Sequence, residues 1–145
     1  MIQRSMTSAL AVAAALALCA GVFVARAQDG AAIERQLKAV SGREVRVGVF
    51  TDIRPDCTSG PLPAIRLAAA PAHGTVRVKS GTLKATNIKQ CLAIEVPAFV
   101  VFYRAAADFS GADVFELEIT SPDGRKRRER VLVTVMQSST TGQGI

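Results

Sequence analysis

Tryptophan is absent from this chain of 145 residues, which carries one tyrosine, one histidine and three cysteines. So few flat rings leave few platforms for stacking bases, which argues against nucleic acid as a partner. A single histidine excludes any site built from several imidazoles and leaves acid–base work of that kind to His73 alone. Long apolar runs are scarce too. The one over residues 9–24 is Ala-rich and shorter than the ~20 residues a membrane-spanning helix needs.

That run reads as a leader. Arg4 precedes it, and Ala25-Arg26-Ala27 follows with small residues where a signal peptidase looks for them. Residues 1–27 are therefore predicted to be a secretory signal peptide cut before Gln28, with no transmembrane segment left after its removal. Cys19 offers an alternative as a lipid attachment site, although Leu18 stands where that pattern wants a small residue. The whole chain has 18 Lys+Arg against 12 Asp+Glu, a net +6; without Arg4 and Arg26 the balance is 16 − 12 = +4. The cysteines that remain, Cys57 and Cys91, form an even pair, and in an exported chain that reads as a disulfide.

Beyond the leader the period of the hydrophobic pattern decides the class. In the lead-in over residues 28–40, Ile33, Leu37 and Val40 fit either a short helix or an ordered strand. From Glu44 the period is two: Val45, Val47 and Val49, then Ile65, Leu67 and Ala69, then Val76 and Val78. A Pro/Gly-rich loop separates the first two runs, Pro71-Ala72-His73-Gly74 the next, and Ser80-Gly81 is expected to turn the chain again. Residues 98–103 are apolar on both faces, as in a strand covered on both sides. Phe115, Leu117 and Ile119 alternate with Glu116, Glu118 and Thr120, and Pro122-Asp123-Gly124 reads as a hairpin turn before Val131, Val133 and Val135. About seven short strands and no long helix predict an all-β sandwich over residues 41–137, with a disordered tail at 138–145.

Two segments carry a family resemblance: Pro71-Ala72-His73-Gly74-Thr75-Val76, and Tyr103-Arg104 running into Asp108-Phe109-Ser110-Gly111-Ala112-Asp113-Val114-Phe115. With the Asp123-Gly124 turn and the final Val-rich strand, they resemble the bacterial cadherin-like and Ig-like modules found on secreted proteins. The resemblance spans residues 65–135 and implies an antiparallel, immunoglobulin-like sandwich of about seven strands. The chain departs from the pattern in having Arg104-Ala105-Ala106-Ala107 where a proline is usual, in its cysteine pair, and in carrying one module rather than an array.

Candidate sites are few. His73 sits before a glycine in a turn, and a hydrolytic site would need it to meet Ser59, Ser80 or Ser110, none of which lies in a nucleophile motif. Asp108 and Asp113 flank a glycine-containing corner; they are weak calcium candidates, and short acids also hold corners by accepting backbone N–H bonds. The densest charge is Arg125, Lys126, Arg127, Arg128 and Arg130, with Glu129 among them. On a strand this run would place Arg128 and Arg130 on one face, opposite Glu116 and Glu118, and Arg127 with Glu129 on the other. It reads either as a site for an anionic partner or as an edge strand kept soluble by charge. No cofactor is indicated. The expected function is an exported, non-catalytic module that meets an envelope protein or an anionic surface polymer. Its expected address is the periplasm or the medium; a small-ligand or calcium-binding periplasmic domain is the alternative, and a small hydrolase the last-ranked reading.

Overall fold

The computed structural model describes residues 32–139; the leader, Cys19 and residues 140–145 of the tail lie outside the described residues. Seven strands and no helix are present among them: β1 (Ile33–Val40), β2 (Glu44–Phe50), β3 (Ala64–Ala69), β4 (Gly74–Ile88), β5 (Cys91–Ala105), β6 (Gly111–Thr120) and β7 (Lys126–Met136). They form two sheets, ordered β1-β7-β6-β3 and β2-β5-β4. The period-two runs account for this directly, since alternate side chains of each strand point to one face and bury together. Phe115, Leu117, Ile119, Val131 and Val133 from the first sheet meet Val47, Phe50, Val101 and Tyr103 from the second in one core.

Three expectations are corrected. Residues 33–40 are a full strand of the first sheet, paired with β7 in parallel, so the sheets are not wholly antiparallel. The parallel pairing puts Leu37 beside Val133 and buries Ala39, which ties the lead-in to the core. For the same reason β7 is an interior strand from Glu129 onward, with only its first residues lying past the end of β1. Charge protection of an edge therefore explains at most Lys126, Arg127 and Arg128.

The third correction is that the chain does not turn at Ser80-Gly81. Those residues pair with Phe99 and Ala98, and β4 and β5 run on as a hairpin of 15 residues a side. Gly81 has no positive φ, and the β-rich strand opposite offers it a continuous ladder. The reversal comes later, at Lys89-Gln90, with Asn87 at φ 55° and Lys89 at φ 53°.

This long hairpin passes from one core to a second. Near its base β5 buries odd-numbered residues, Val101, Tyr103 and Ala105; from Ile94 to Ala98 it buries even-numbered ones, Ile94, Val96 and Ala98, while odd-numbered Cys91 at the hairpin's tip is buried by its disulfide. Its register with β4 is unbroken, so parity marks the face, and the buried face changes between Ala98 and Val101. That handover is why residues 98–103 are apolar on both sides. The outer half of the hairpin packs Leu83, Ala85, Ile88, Cys91, Ile94 and Val96 against Ile53 and Cys57 of the loop after β2. Pro97 lies just past Phe99, where β2 has ended, so its missing N–H interrupts no ladder bond to β2; Thr51 Oγ1 donates to its carbonyl at 2.7 Å.

The Cys57–Cys91 disulfide fastens this second core, with Cα atoms 5.6 Å apart and 34 residues between them in sequence. Closing a loop of that length stabilises by about 3–4 kcal/mol in the chain-entropy account. Replacing both cysteines by serine is expected to lower stability by about that amount. The loss should start locally, with amides of residues 82–97 exchanging faster than those of 99–105 by hydrogen-exchange NMR.

Candidate functional site

The two ends of the molecule are chemically different. β6 begins at one end with Gly111 and finishes at the other with Thr120, about 30 Å away at a strand's rise per residue.

At the first end everything turns on Asp113. Its side chain is buried, with the residue 6% exposed, and a carboxylate in that setting must be hydrogen-bonded. Four donors meet it: the backbone N–H groups of Ala72 (3.0 Å), His73 (3.1 Å) and Val114 (2.9 Å), and the Tyr103 hydroxyl (2.8 Å). Tyr103 comes from the opposite sheet, and its ring stacks on Phe115 at 5.6 Å between centroids. Gly74 makes room for that ring, since a Cβ there would stand 2.5 Å from Tyr103 Cε2. Sequence Pro71-Ala72-His73-Gly74 is thus shaped by the carboxylate it donates to and the ring it covers. The His73 ring stacks on Phe109 at 4.0 Å, while Ser80 lies within β4 and Ser59 in the loop after β2.

Both Asp113 oxygens are occupied in this way, which is the corner-holding role of a short acid. Adding calcium or a chelator is therefore expected to leave the melting temperature unchanged in a thermal-shift series; a rise with calcium would reopen Asp108 and Asp113 as ligands.

At the other end the basic run is divided between two surfaces. Lys126, Arg128 and Arg130 project from the outer face of the first sheet, where the register sets Arg130 opposite Glu116 and Arg128 opposite Glu118. Glu118 was expected to face water but is buried, because cations close over it from two neighbouring strands. Arg66 of β3 reaches its Oε1 at 2.8 Å, Lys126 the same atom at 3.6 Å, and Arg128 its Oε2 at 3.9 Å. Arg130 lies 3.9 Å from Glu116. Among the described residues the outer face carries Lys38, Arg66, Lys126, Arg128 and Arg130 against Glu116, Glu118 and Glu34, which the register sets beside Arg130, an excess of 5 − 3 = +2.

Arg127 points the other way, toward the gap between the sheets, and Arg125, largely exposed beside Asp123 at the hairpin, lies at the mouth of that gap. Arg127 Nε donates to Glu129 at 3.2 Å, and its guanidinium lies 5.8 Å from the centre of the Phe50 ring. Glu129 is buried and takes a second cation, Arg35 of β1, at 3.3 Å; Arg35 in turn donates to the Val47 carbonyl. These groups close the end of the core. Arg125 Nε donates to Asp123 at 2.6 Å, and the Arg125 backbone amide is the larger of the two contacts holding the Asp123 carboxyl below the usual carboxylate range. Together with Val49, Phe50, Thr51, Asp52, Pro63, Ser121 and Pro122, the two arginines line a cleft of about 370 Å³.

Sequence reasoning found the basic run, its alternation and its cross-strand acids. It missed Arg66, Asp52, Arg35 and the burial of Glu129, because each depends on which strands become neighbours. Tyr103 had a signal: a lone tyrosine among apolar residues needs a partner for its hydroxyl.

No known family's profile matches the chain, and no curated protein does. Among solved structures, a similar one is described as "Solution Structure of Amebosin", at 10% identity and a TM-score of 0.39, covering 74% of this chain and 100% of that one.

Burial, and then the carboxylate it donates to, push the Tyr103 phenol well above its ordinary range. An unfolded tyrosine gives up its proton near pH ~10 while the folded one keeps it, so stability should be level below that pH and fall above it. Tyr103→Phe is expected to cost about 1.5–3 kcal/mol at neutral pH, a hydrogen bond to a charged acceptor. It should also flatten the alkaline part of the stability curve, which denaturant titrations on either side of that pH would read.

Proposed function

We propose that this chain is an exported Ig-like module that binds an anionic polymer of the cell envelope through the outer face of its β1-β7-β6-β3 sheet. The observation that carries the reading is the cation excess on that face. Among the described residues, Arg66, Lys126, Arg128 and Arg130 from β3 and β7 flank Glu116 and Glu118, and with Lys38 and Glu34 of β1 the face holds five cations against three acids, so the acids order the cations without neutralising them all. Polyanions bind through such arrays by repeated contact and counterion release rather than by a shaped pocket.

Export is supported by the leader pattern in residues 1–27 and by the disulfide, which persists in oxidising compartments. The Ig-like assignment is supported by strand order. β2-β5-β4 corresponds to the B-E-D sheet of that fold and β7-β6-β3 to G-F-C, with the first strand carried over beside the last. The module has no catalytic role in this reading: His73 stacks on Phe109 and helps cover the Asp113 lock.

The purified protein should be retained on immobilised polygalacturonate and elute at modest salt, because exposed charges are screened within ~8 Å at physiological ionic strength. Lys126→Gln with Arg130→Gln should bring elution clearly earlier, while Arg77→Gln with Lys84→Gln, an equal loss of charge on β4, should not. Equal shifts for the two pairs would mean that net charge alone is being measured and would contradict a site on this face.

A further inference from the structure

The cleft at the charged end has a chemistry of its own, independent of the polymer reading. Arg125, just before β7, and Arg127, within it, both line the cleft, two residues and so about 7 Å apart at a strand's rise. Each is anchored through Nε, Arg125 by Asp123 and Arg127 by Glu129, and the ring of Phe50 backs the second. A guanidinium has five N–H donors, so this anchoring fixes the plane and leaves donors over. Across the cleft stands Asp52, whose carboxylate packs so closely on Gly60 that any side chain at that position would collide with Oδ2. Asp52 supplies an acceptor, Asp123 the remaining lone pairs of a carboxylate whose two oxygens already take the Arg125 amide and Nε, Ser121 a hydroxyl, and Pro63, Pro122 and Val49 an apolar wall.

This combination selects among ligands. A phosphate monoester would bring nearly two negative charges against Asp52 and Asp123, and a sulfate ester three acceptor oxygens with no donor for those carboxylates. A neutral sugar would leave the guanidiniums without an anion, and a simple carboxylate would leave the aspartates without donors. A ring carrying one carboxylate, several hydroxyls and a C–H face satisfies all three sets of groups. The cleft volume, about 370 Å³, lies within the range of small-molecule sites.

We propose that this cleft binds a single hexuronic acid unit. Its carboxylate accepts from Arg125 and Arg127, its hydroxyls donate to Asp52 and Asp123, and its ring C–H groups lie on Pro63 and Pro122.

The test is a titration of the ¹⁵N-labelled protein with methyl glucuronide, using methyl glucoside and acetate as controls. Glucuronide should produce saturable shifts at residues 49–52 and 121–127, with affinity at least about tenfold above either control, or 1.4 kcal/mol. Arg125→Ala removes an exposed side chain and should abolish that margin with the rest of the spectrum intact. Asp52→Asn should weaken glucuronide while leaving acetate unchanged. Absence of saturation, acetate matching glucuronide, or shifts centred on Arg128 and Arg130 with none at residues 49–52 would each overturn the proposal. Because the ligand is a monosaccharide and the readout is residue-specific, failure here leaves the polymer reading on the outer face intact, and the reverse also holds.

Discussion

The hydrogen bond from Tyr103 to Asp113 is the constraint on which the arrangement of the two sheets depends. It joins β5 in one sheet to β6 in the other, inside the core, and the same carboxylate takes the backbone of the 71–74 turn. A buried carboxylate with fewer donors would carry a desolvation cost of a few kcal/mol, so the turn, the ring and the acid must form together or not at all. Once they do, the position of β4 is set by Gly74 beneath the tyrosine, and the long hairpin starts from a defined angle.

With one end of the molecule consumed by that lock, variable chemistry is left to the other. The hairpin at Pro122-Asp123-Gly124, the loop after β2 and the disulfide-fastened outer half of β4 and β5 all lie there. The alternation of β7 then does what alternation always does, sending successive side chains to opposite faces. What looks in sequence like one basic cluster becomes two environments, an extended cationic patch outside and a mixed-charge cleft between the sheets. The buried Glu129, held between Arg35 and Arg127, is the partition between cleft and core.

Much of this was legible in the residues. The strands β2, β3, β6 and β7 follow from period-two patterning, the disulfide from cysteine number, and the facing of Arg128 and Arg130 toward Glu118 and Glu116 from simple alternation across a hairpin. What escaped were matters of neighbourhood. Nothing local says that residues 33–40 will lie parallel to β7, and so β7 looked like an edge. Ser80-Gly81 has turn composition, and only the continuous strand opposite overrides it. Glu118 reads as a solvent-facing acid until Arg66 arrives from a strand some fifty residues earlier in the chain. Asp113 showed its role in sequence as a short acid at a corner, and the structure adds the tyrosine that makes it central.

The claim that one end is a lock and the other a binding surface is tested most directly by residue-resolved hydrogen exchange, recorded with and without soluble polygalacturonate. The account predicts that the Ala72 and His73 amides exchange as slowly as strand amides and are unaffected by polymer, while amides over residues 118–130 are slowed by it. Fast exchange at Ala72 and His73, or protection appearing around Asp113 instead of the β6–β7 hairpin, would contradict it.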